Sequence, residues 1–550
     1  MENRDFREFW ALLFDTRSIQ RYIFAGSQLK TNIGASYLVD RVFDAHLLPA
    51  VRDILGEEAL DDTTWREVEQ PDWTQQEKPA RVGYIGGGNA FLLLDGEIEE
   101  DRVRAIVTRF TERLLVACPG LKTGAAYGRL ALRPDGSFVE AAAQEKKLFG
   151  QQDGRMDFSL LFQRLRGAQN TVLPCVNVFY TGLTLSSGGE AATHDEAGLG
   201  RFVSAEEAAK LAAATRSFRE EAPAERALRE NLRQSLDAAE REDFLSGYAF
   251  PASFDRLGQR ETENYLAVVH IDGNNMGKQF AGLRTLTERK NRSLAVRGKT
   301  VRAFAELVKE ITGEYESYGA YLDTRPRREG EPRDLPVRPL VLGGDDMTFV
   351  CAAKVAFLYA RRLMAKLKTS GITSCAGIAI LKTSYPFSRG YALAEELCGA
   401  AKKKMRAQDG DSCWLDFAIL HGEQAPTLAG IRAQEYRGAR GSLHFGPYQV
   451  DGRSTRARSL AALLEAVAKL RTALPQSKIK ELRAVLAHGE AAQRAFLAQL
   501  ASLRREERAS LPAVAAWQRY EEELFVAGET PYVDVIELLD FIPRQQDEEG

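Results

Sequence analysis

Two stretches of this chain repeat one order of elements at one spacing, and no other feature constrains the fold as tightly. Residues 10–15 form an apolar run that ends in Asp15, and residues 265–271 form another that ends at Asp272. Both read as buried strands closed by an acid. Downstream of each, two apolar runs flank consecutive glycines: residues 82–94 around Gly86-Gly87-Gly88, and residues 339–351 around Gly343-Gly344. Such a pattern predicts a β-hairpin, with the glycines taking turn angles closed to other residues. Asp15 and Gly88 stand 73 residues apart, and so do Asp272 and Asp345. Each hairpin is followed by a helical segment, a small-residue strand (123–128 and 374–380) and an Ala-rich helix ending in lysines. Those lysines are Lys146-Lys147 in the first copy and Lys402-Lys403-Lys404 in the second. Four elements in the same order predict an internal duplication, hence two α/β units in tandem.

The copies differ where chemistry would sit. The second hairpin carries Asp345-Asp346 at its tip; the first has Gly88 and Asn89 there. Hydrophobic flanks bury the strands and push the acids outward. Two carboxylates on so tight a turn repel each other, and a divalent metal is the usual counter-charge. A carboxylate at a strand end beside a Gly-Gly-acid-acid hairpin is the metal-binding geometry of polymerase and cyclase palm domains. One half therefore reads as active and the other as degenerate. His270, on the apolar strand before Asp272, reads as a packed core histidine.

Composition sets the outer bounds. With 550 residues, 44% of them hydrophobic, the chain can bury several cores. The predicted division is a first palm over 1–150, a helical linker region over 151–244, a second, catalytic palm over 245–422 and a C-terminal helical bundle over 423–550. The fold class is α/β (α+β), with two ferredoxin-like palm domains. The charge-rich stretch within the linker reads as solvated helix. A net charge of −3 argues against a protein that spreads freely on nucleic acid. The six cysteines include no Cys-x-x-Cys pair, so reduced thiols are expected rather than zinc. The charged first residues and the lack of an apolar run of ~20 residues predict a soluble, cytoplasmic protein without a membrane span.

Ser18-Ile19-Gln20-Arg21-Tyr22-Ile23-Phe24, then Leu29-Lys30 and Gly34-Ala35-Ser36-Tyr37-Leu38, resemble the opening of the large polymerase/cyclase subunit of type III CRISPR–Cas interference complexes. Asp272-Gly273-Asn274-Asn275-Met276-Gly277-Lys278 resembles the first palm motif of that subunit's active half, and Gly343-Gly344-Asp345-Asp346 its signature hairpin. The resemblance covers residues 9–150 and 245–422. It implies two facing palms that bind ATP and join it 3′ to 5′ into cyclic oligoadenylate. It further implies partner CRISPR-associated subunits and guide or target RNA. The family commonly begins with an HD nuclease domain, whereas this sequence opens in the first palm. Its one His-Asp pair, His194-Asp195, falls in a Gly/Ser-rich stretch read as a surface loop, so no DNase activity is expected. The zinc cysteines of many relatives are missing, and asparagines stand at 274 and 275 where relatives often carry an acid.

Nucleotidyl transfer needs an activated 3′-hydroxyl and a neutralised pyrophosphate, which two Mg²⁺ or Mn²⁺ ions ~3.5–4 Å apart supply. Asp272 and Asp345 are the expected metal ligands, with the Gly273 carbonyl as a hard-oxygen partner. Asp345 and Asp346 are the expected catalytic pair, with Asp346 supporting the second metal or positioning the hydroxyl. The turn at Gly273, Asn274 and Asn275, together with Gly343 and Gly344, is expected to face the nucleotide phosphates. Lys402 resembles the phosphate-contacting lysine of GGDEF cyclases; read plainly, residues 402–404 are a solvated helix end. Ser36, in the degenerate half, is expected at a second ATP. Two rival readings are a GGDEF-like dinucleotide cyclase, against which the duplication within one chain speaks, and a structural large subunit with a vestigial site.

Overall fold

The computed structural model describes residues 6–26, 28–137, 139, 151–152, 155–156, 191–195, 201–215, 221–260, 263–326, 328–408, 410–422, 427–452, 456–503 and 510–544. The chain divides into two compact units. One comprises Met1–Asp237, Asn275–Arg302 and Leu340–Asp345; the other comprises Ala238–Asn274, Ala303–Pro339 and Asp346–Gly550.

In the first unit, strands β1 (Arg7–Arg17), β2 (Ala80–Gly86), β3 (Asn89–Asp95) and β4 (Lys122–Leu132) lie in the order β2-β3-β1-β4, with the short strand Leu60–Asp61 beyond β2. All neighbours among the four are antiparallel. Phe9 to Phe14 are buried along β1, which is why six apolar residues run without alternation. Helix α1 (Leu29–Val42) follows β1, and α2 (Glu100–Ala117) follows β3. This βαββαβ order and strand arrangement is ferredoxin-like. On α2, Val103, Ile106, Phe110 and Leu114 form one buried face. Phe110 meets the edge of Phe14, and burial of such side chains stabilises by ~1.5–3 kcal/mol each. Gly34 on α1 faces the helix Ala205–Ala214: a Cβ there would lie 1.7 Å from the Lys210 carbonyl. Lys210 is itself buried, its ammonium on the Tyr22 carbonyl at 2.6 Å and on Glu206 at 2.5 Å. The residues around Tyr22 and Gly34 thus close the first palm against a following helix.

The second sheet repeats the first. Strands β5 (Tyr265–Gly273), β6 (Val337–Gly343), β7 (Asp346–Ala352) and β8 (Ser374–Lys382) take the order β6-β7-β5-β8. It is extended by β9 (Trp414–Ile419), parallel to β8, and by Tyr448–Gln449. Asp15 on β1 is paired with Asn89, and Asp272 on β5 with Asp346, so the duplication holds position by position. The long helix α3 (Leu286–Gly313) precedes β6; α4 (Ala356–Thr369) follows β7 and α5 (Phe387–Gln408) follows β8. The lysine-ended helix expected after β8 is α5. Its counterpart at Lys146-Lys147 lies outside the described residues. The fold is therefore the tandem palm arrangement with helical regions, and the spans at 460 and 479 form the helices Leu460–Ala473, Gln476–Ala487 and Glu490–Leu503.

A buried ionic network ties β9 to the helix Tyr532–Leu538. His444 bridges Asp416 through Nε2 at 2.8 Å and Asp534 through Nδ1 at 2.9 Å. Burial and Arg432 oppose a charged His444, but the two aspartates outweigh them and its pKa is raised. Burial alone would raise Asp534; His444 and the Tyr448 hydroxyl bring it below its ordinary value. One expectation is corrected here: His194-Asp195 is not in a loop. Both residues lie in the strand Ala191–Asp195, paired antiparallel with Arg201–Ser204, because ladder pairing overrides the loop-like composition around them.

Candidate active site

The carboxylate end of the second sheet is built by register. Asp272 and Asp346 are cross-strand partners on β5 and β7, and two residues back His270 pairs with Thr348. Side chains two apart on a strand share a face, so these four side chains lie on one side of the sheet. Between β6 and β7 the chain turns through Gly344 and Asp345. Gly344 has φ +62°, the left-handed region, with nothing within 4 Å of where a Cβ would be; conformation alone calls for glycine there. The Thr300 hydroxyl on α3 lies 2.6 Å from the Gly344 carbonyl and fixes the turn. Asp345 follows directly and is half-buried.

Lys402 reaches this end from α5. Its ammonium is 2.5 Å from Asp272 Oδ2 and 3.2 Å from the Gly273 carbonyl oxygen. Tyr391, Glu395, Cys398 and Lys402 follow the 4-3-4 spacing of one helix face, which turns Lys402 toward β5. Burial raises the Glu395 carboxyl, and the charge of Asp272 adds to the rise. His270 is buried, with Nδ1 3.1 Å from Thr348 Oγ1 and 3.3 Å from Asp346 Oδ1. Burial lowers its pKa to about 4 despite nearby Asp272, so the imidazole is neutral at physiological pH.

The other expected residues are placed as follows. Asn274 is buried; its amide N–H donates to the Thr373 carbonyl at 2.8 Å and its Nδ2 to the Ser412 carbonyl at 3.1 Å. Those two bonds brace the end of β5. Asn275 has φ +58° and starts the short helix Met276–Ala281. Ser36, on α1, donates its hydroxyl to the backbone carbonyl of Leu340 in β6. Cys118, Cys351, Cys375, Cys398 and Cys413 are free and buried, while Cys175 lies outside the described residues. Burial pushes the Cys375 thiol up to about 12, which leaves it unreactive. No helix among the described residues is long and apolar enough to cross a membrane.

Among the described residues no group of three or more His, Cys, Asp or Glu side chains converges to hold a metal ion. The oxygens at the end of β5 nevertheless suit a hard cation. Asp272 and the Gly273 carbonyl already share a positive charge, that of Lys402, and the buried Asn274 Oδ1 has no hydrogen-bond partner. Mg²⁺ is commonly held by one or two carboxylates, with waters and substrate phosphates completing its octahedron. The donor set fits such an ion.

Strand order and register define this sheet as a palm domain. Residues 265–410 match the family model described as Cas10/Cmr2, second palm domain. The resemblance read from Asp272–Lys278 and Gly343–Asp346 therefore holds over the segment that carries both motifs. Among solved structures, the chain is similar to Csm1 in T. onnurineus (14% identity, TM-score 0.49, covering 97% of this chain and 69% of that one). It is similar to a Csm1–Csm4 cassette in complex with cA4 (14%, TM-score 0.45, 97% and 70%) and to one in complex with AMPPNP (12%, TM-score 0.48, 98% and 70%). No curated protein matches the chain.

Sequence reasoning did not anticipate Thr300 under the turn or the contact of His270 with Asp346. The two-residue alternation along β5 was the available signal for the second, since it puts His270 on the face of Asp272.

Proposed function

We propose that the chain is a palm-type nucleotidyltransferase that converts ATP to cyclic oligoadenylate as the large subunit of a CRISPR ribonucleoprotein. The observation that carries this reading is the cross-strand pair Asp272 and Asp346 at the sheet end, with the Lys402 ammonium on the Asp272 carboxylate. ATP as substrate rests on the resemblance of residues 272–278 and 343–346. In this reading residues 1–150 are the degenerate palm, 151–244 the connecting region, 245–422 the catalytic palm and 423–550 a helical region that docks on partner subunits.

Asp272, Asp345 and the Gly273 carbonyl would hold Mg²⁺ or Mn²⁺, and Asp346 would support a second ion or orient the attacking hydroxyl. Bound there, the ions supply charge neutralisation at the α-phosphate and a more acidic 3′-hydroxyl. Lys402 brings a cation that is free to exchange its carboxylate partner for a phosphate, since a half-buried lysine on a flexible stem reaches both. Gly344 leaves the tip of the turn without a side chain, so a nucleotide can approach the backbone. Gly343, Asn275 and Ser36 complete the proposed nucleotide contacts. Asn274 is a further proposed contact, through the second N–H of its side-chain amide.

The test is incubation of the purified protein, alone and with RNA-bearing partners from native cells, with Mg²⁺ or Mn²⁺ and each of the four NTPs. Mass spectrometry of the products identifies substrate and linkage. Cyclic oligoadenylate from ATP is expected. A product from GTP alone would favour the dinucleotide cyclase, and no product under any condition would favour a structural subunit.

A further inference from the structure

The polar contacts of His270 are unusual for a residue at the centre of a sheet. It is 4% exposed, and its ring stands edge-on to Tyr391 with centroids 5.7 Å apart, which fixes the imidazole plane. Nδ1 lies close to two oxygens on the neighbouring strand: Thr348 Oγ1 at 3.1 Å and Asp346 Oδ1 at 3.3 Å. The first distance is a hydrogen bond. The second is a charge–dipole contact without hydrogen-bond alignment, and it engages the oxygen of Asp346 that is shielded from solvent.

We infer that His270 and Thr348 form a positioning pair for Asp346, holding one carboxylate oxygen inward so that the other faces the end of the sheet where metal and nucleotide bind. The inference rests on the proposed function and assigns it residues beyond the acidic motifs. Register makes the pair a unit: His270 is opposite Thr348 as Asp272 is opposite Asp346, so a single two-residue step along both strands joins ligand row to support row. A carboxylate on a turn-proximal strand end has two free torsions. Fixing one oxygen removes most of that freedom before a ligand arrives, which is how supporting residues raise affinity at metal sites. The role needs no change of protonation. It needs a donor at the place of Nδ1 and a hydroxyl at Thr348.

The test compares His270→Leu, His270→Asn and Thr348→Val in the full chain. Leu keeps apolar bulk and removes the donor; Asn restores a donor close to the Nδ1 position; Val is isosteric with Thr and lacks the hydroxyl. Mn²⁺ affinity is read by electron paramagnetic resonance on the protein without nucleotide, and ATP turnover is read separately. Loss of a supporting partner typically weakens metal affinity or activity ~10–100-fold. His270→Leu is expected to fall in that range, Thr348→Val in the same direction by less, and His270→Asn to recover most of the loss. Wild-type affinity in His270→Leu and Thr348→Val overturns the inference while leaving the carboxylate site standing. If His270→Leu does not fold, Thr348→Val decides alone. Absence of both Mn²⁺ binding and product in the wild type overturns the site and the inference together.

Discussion

Gly377→Ala tests how the second palm holds the helix that carries Lys402. Gly377 lies on β8 opposite His270, under α5. A Cβ there would fall 2.0 Å from the Ala394 carbonyl oxygen, 2.5 Å from the Cys398 amide nitrogen and 2.8 Å from Leu397 Cβ. Two of these atoms are helix backbone, so no rotamer change relieves the clash. The helix must lift by on the order of 1 Å to reach ordinary van der Waals separation. Overpacking of this kind costs ~1–3 kcal/mol, and a backbone obstacle puts the cost at the upper end, about 3 kcal/mol. For a unit of this size that corresponds to a loss of ~6–12 °C in melting temperature. Lys402 is one turn beyond Cys398 on the same face, so the lift also opens its 2.5 Å contact with Asp272. A misplacement of that size at a reacting centre can cost ~100-fold in rate. Differential scanning fluorimetry and ATP turnover measure the two effects. An unchanged melting temperature with wild-type turnover would refute the packing account of α5.

Two further outcomes are expected. Lys402→Ala removes a charge-assisted contact worth ~1.5–3 kcal/mol, so KM for ATP should rise ~10–100-fold with a smaller change in kcat; a change in kcat alone would make Lys402 a partner of Asp272 rather than of phosphate. Glu537 is buried beside Tyr436 and its carboxyl is pushed up from 4.5 to about 7 by burial. A folded-state pKa above the unfolded one means the fold favours the protonated form, so this group's contribution is full below pH 4.5 and is lost as pH rises toward 7, by up to ~1.4 kcal/mol per unit. Melting temperature should therefore decline across that window in the wild type and decline less in Glu537→Gln; equal slopes would rule the group out.

Much of this arrangement was legible because its signals are local. Apolar runs closed by Asp15 and Asp272, with Gly-Gly turns at fixed distance, located both hairpins, and the two registers match the spacing residue for residue. Lys402 was legible through its resemblance to the phosphate-contacting lysine of GGDEF cyclases, at the lysine-rich end of an Ala-rich helix. What escaped depends on partners distant in sequence. The bonds of Asn274 to Thr373 and Ser412 come from loops about a hundred residues or more away. His194-Asp195 looked like loop until Phe202 and Arg201 paired with it. The Ser36 hydroxyl finds the Leu340 carbonyl about 300 residues downstream. His270 was read as core and is core; that it also touches Asp346 follows only once β7 is set beside β5.

The most direct test of the central claim is product formation from ATP with Mg²⁺ or Mn²⁺ by the wild type, by Asp272→Asn and by Asp345→Ala combined with Asp346→Ala, at matched melting temperatures. These acids lie at a strand end and turn and contribute little to either core, so all three proteins should fold alike. Cyclic oligoadenylate from the wild type alone is the expected result. Wild-type product yield from either variant, with its fold intact, would place the chemistry elsewhere in the chain.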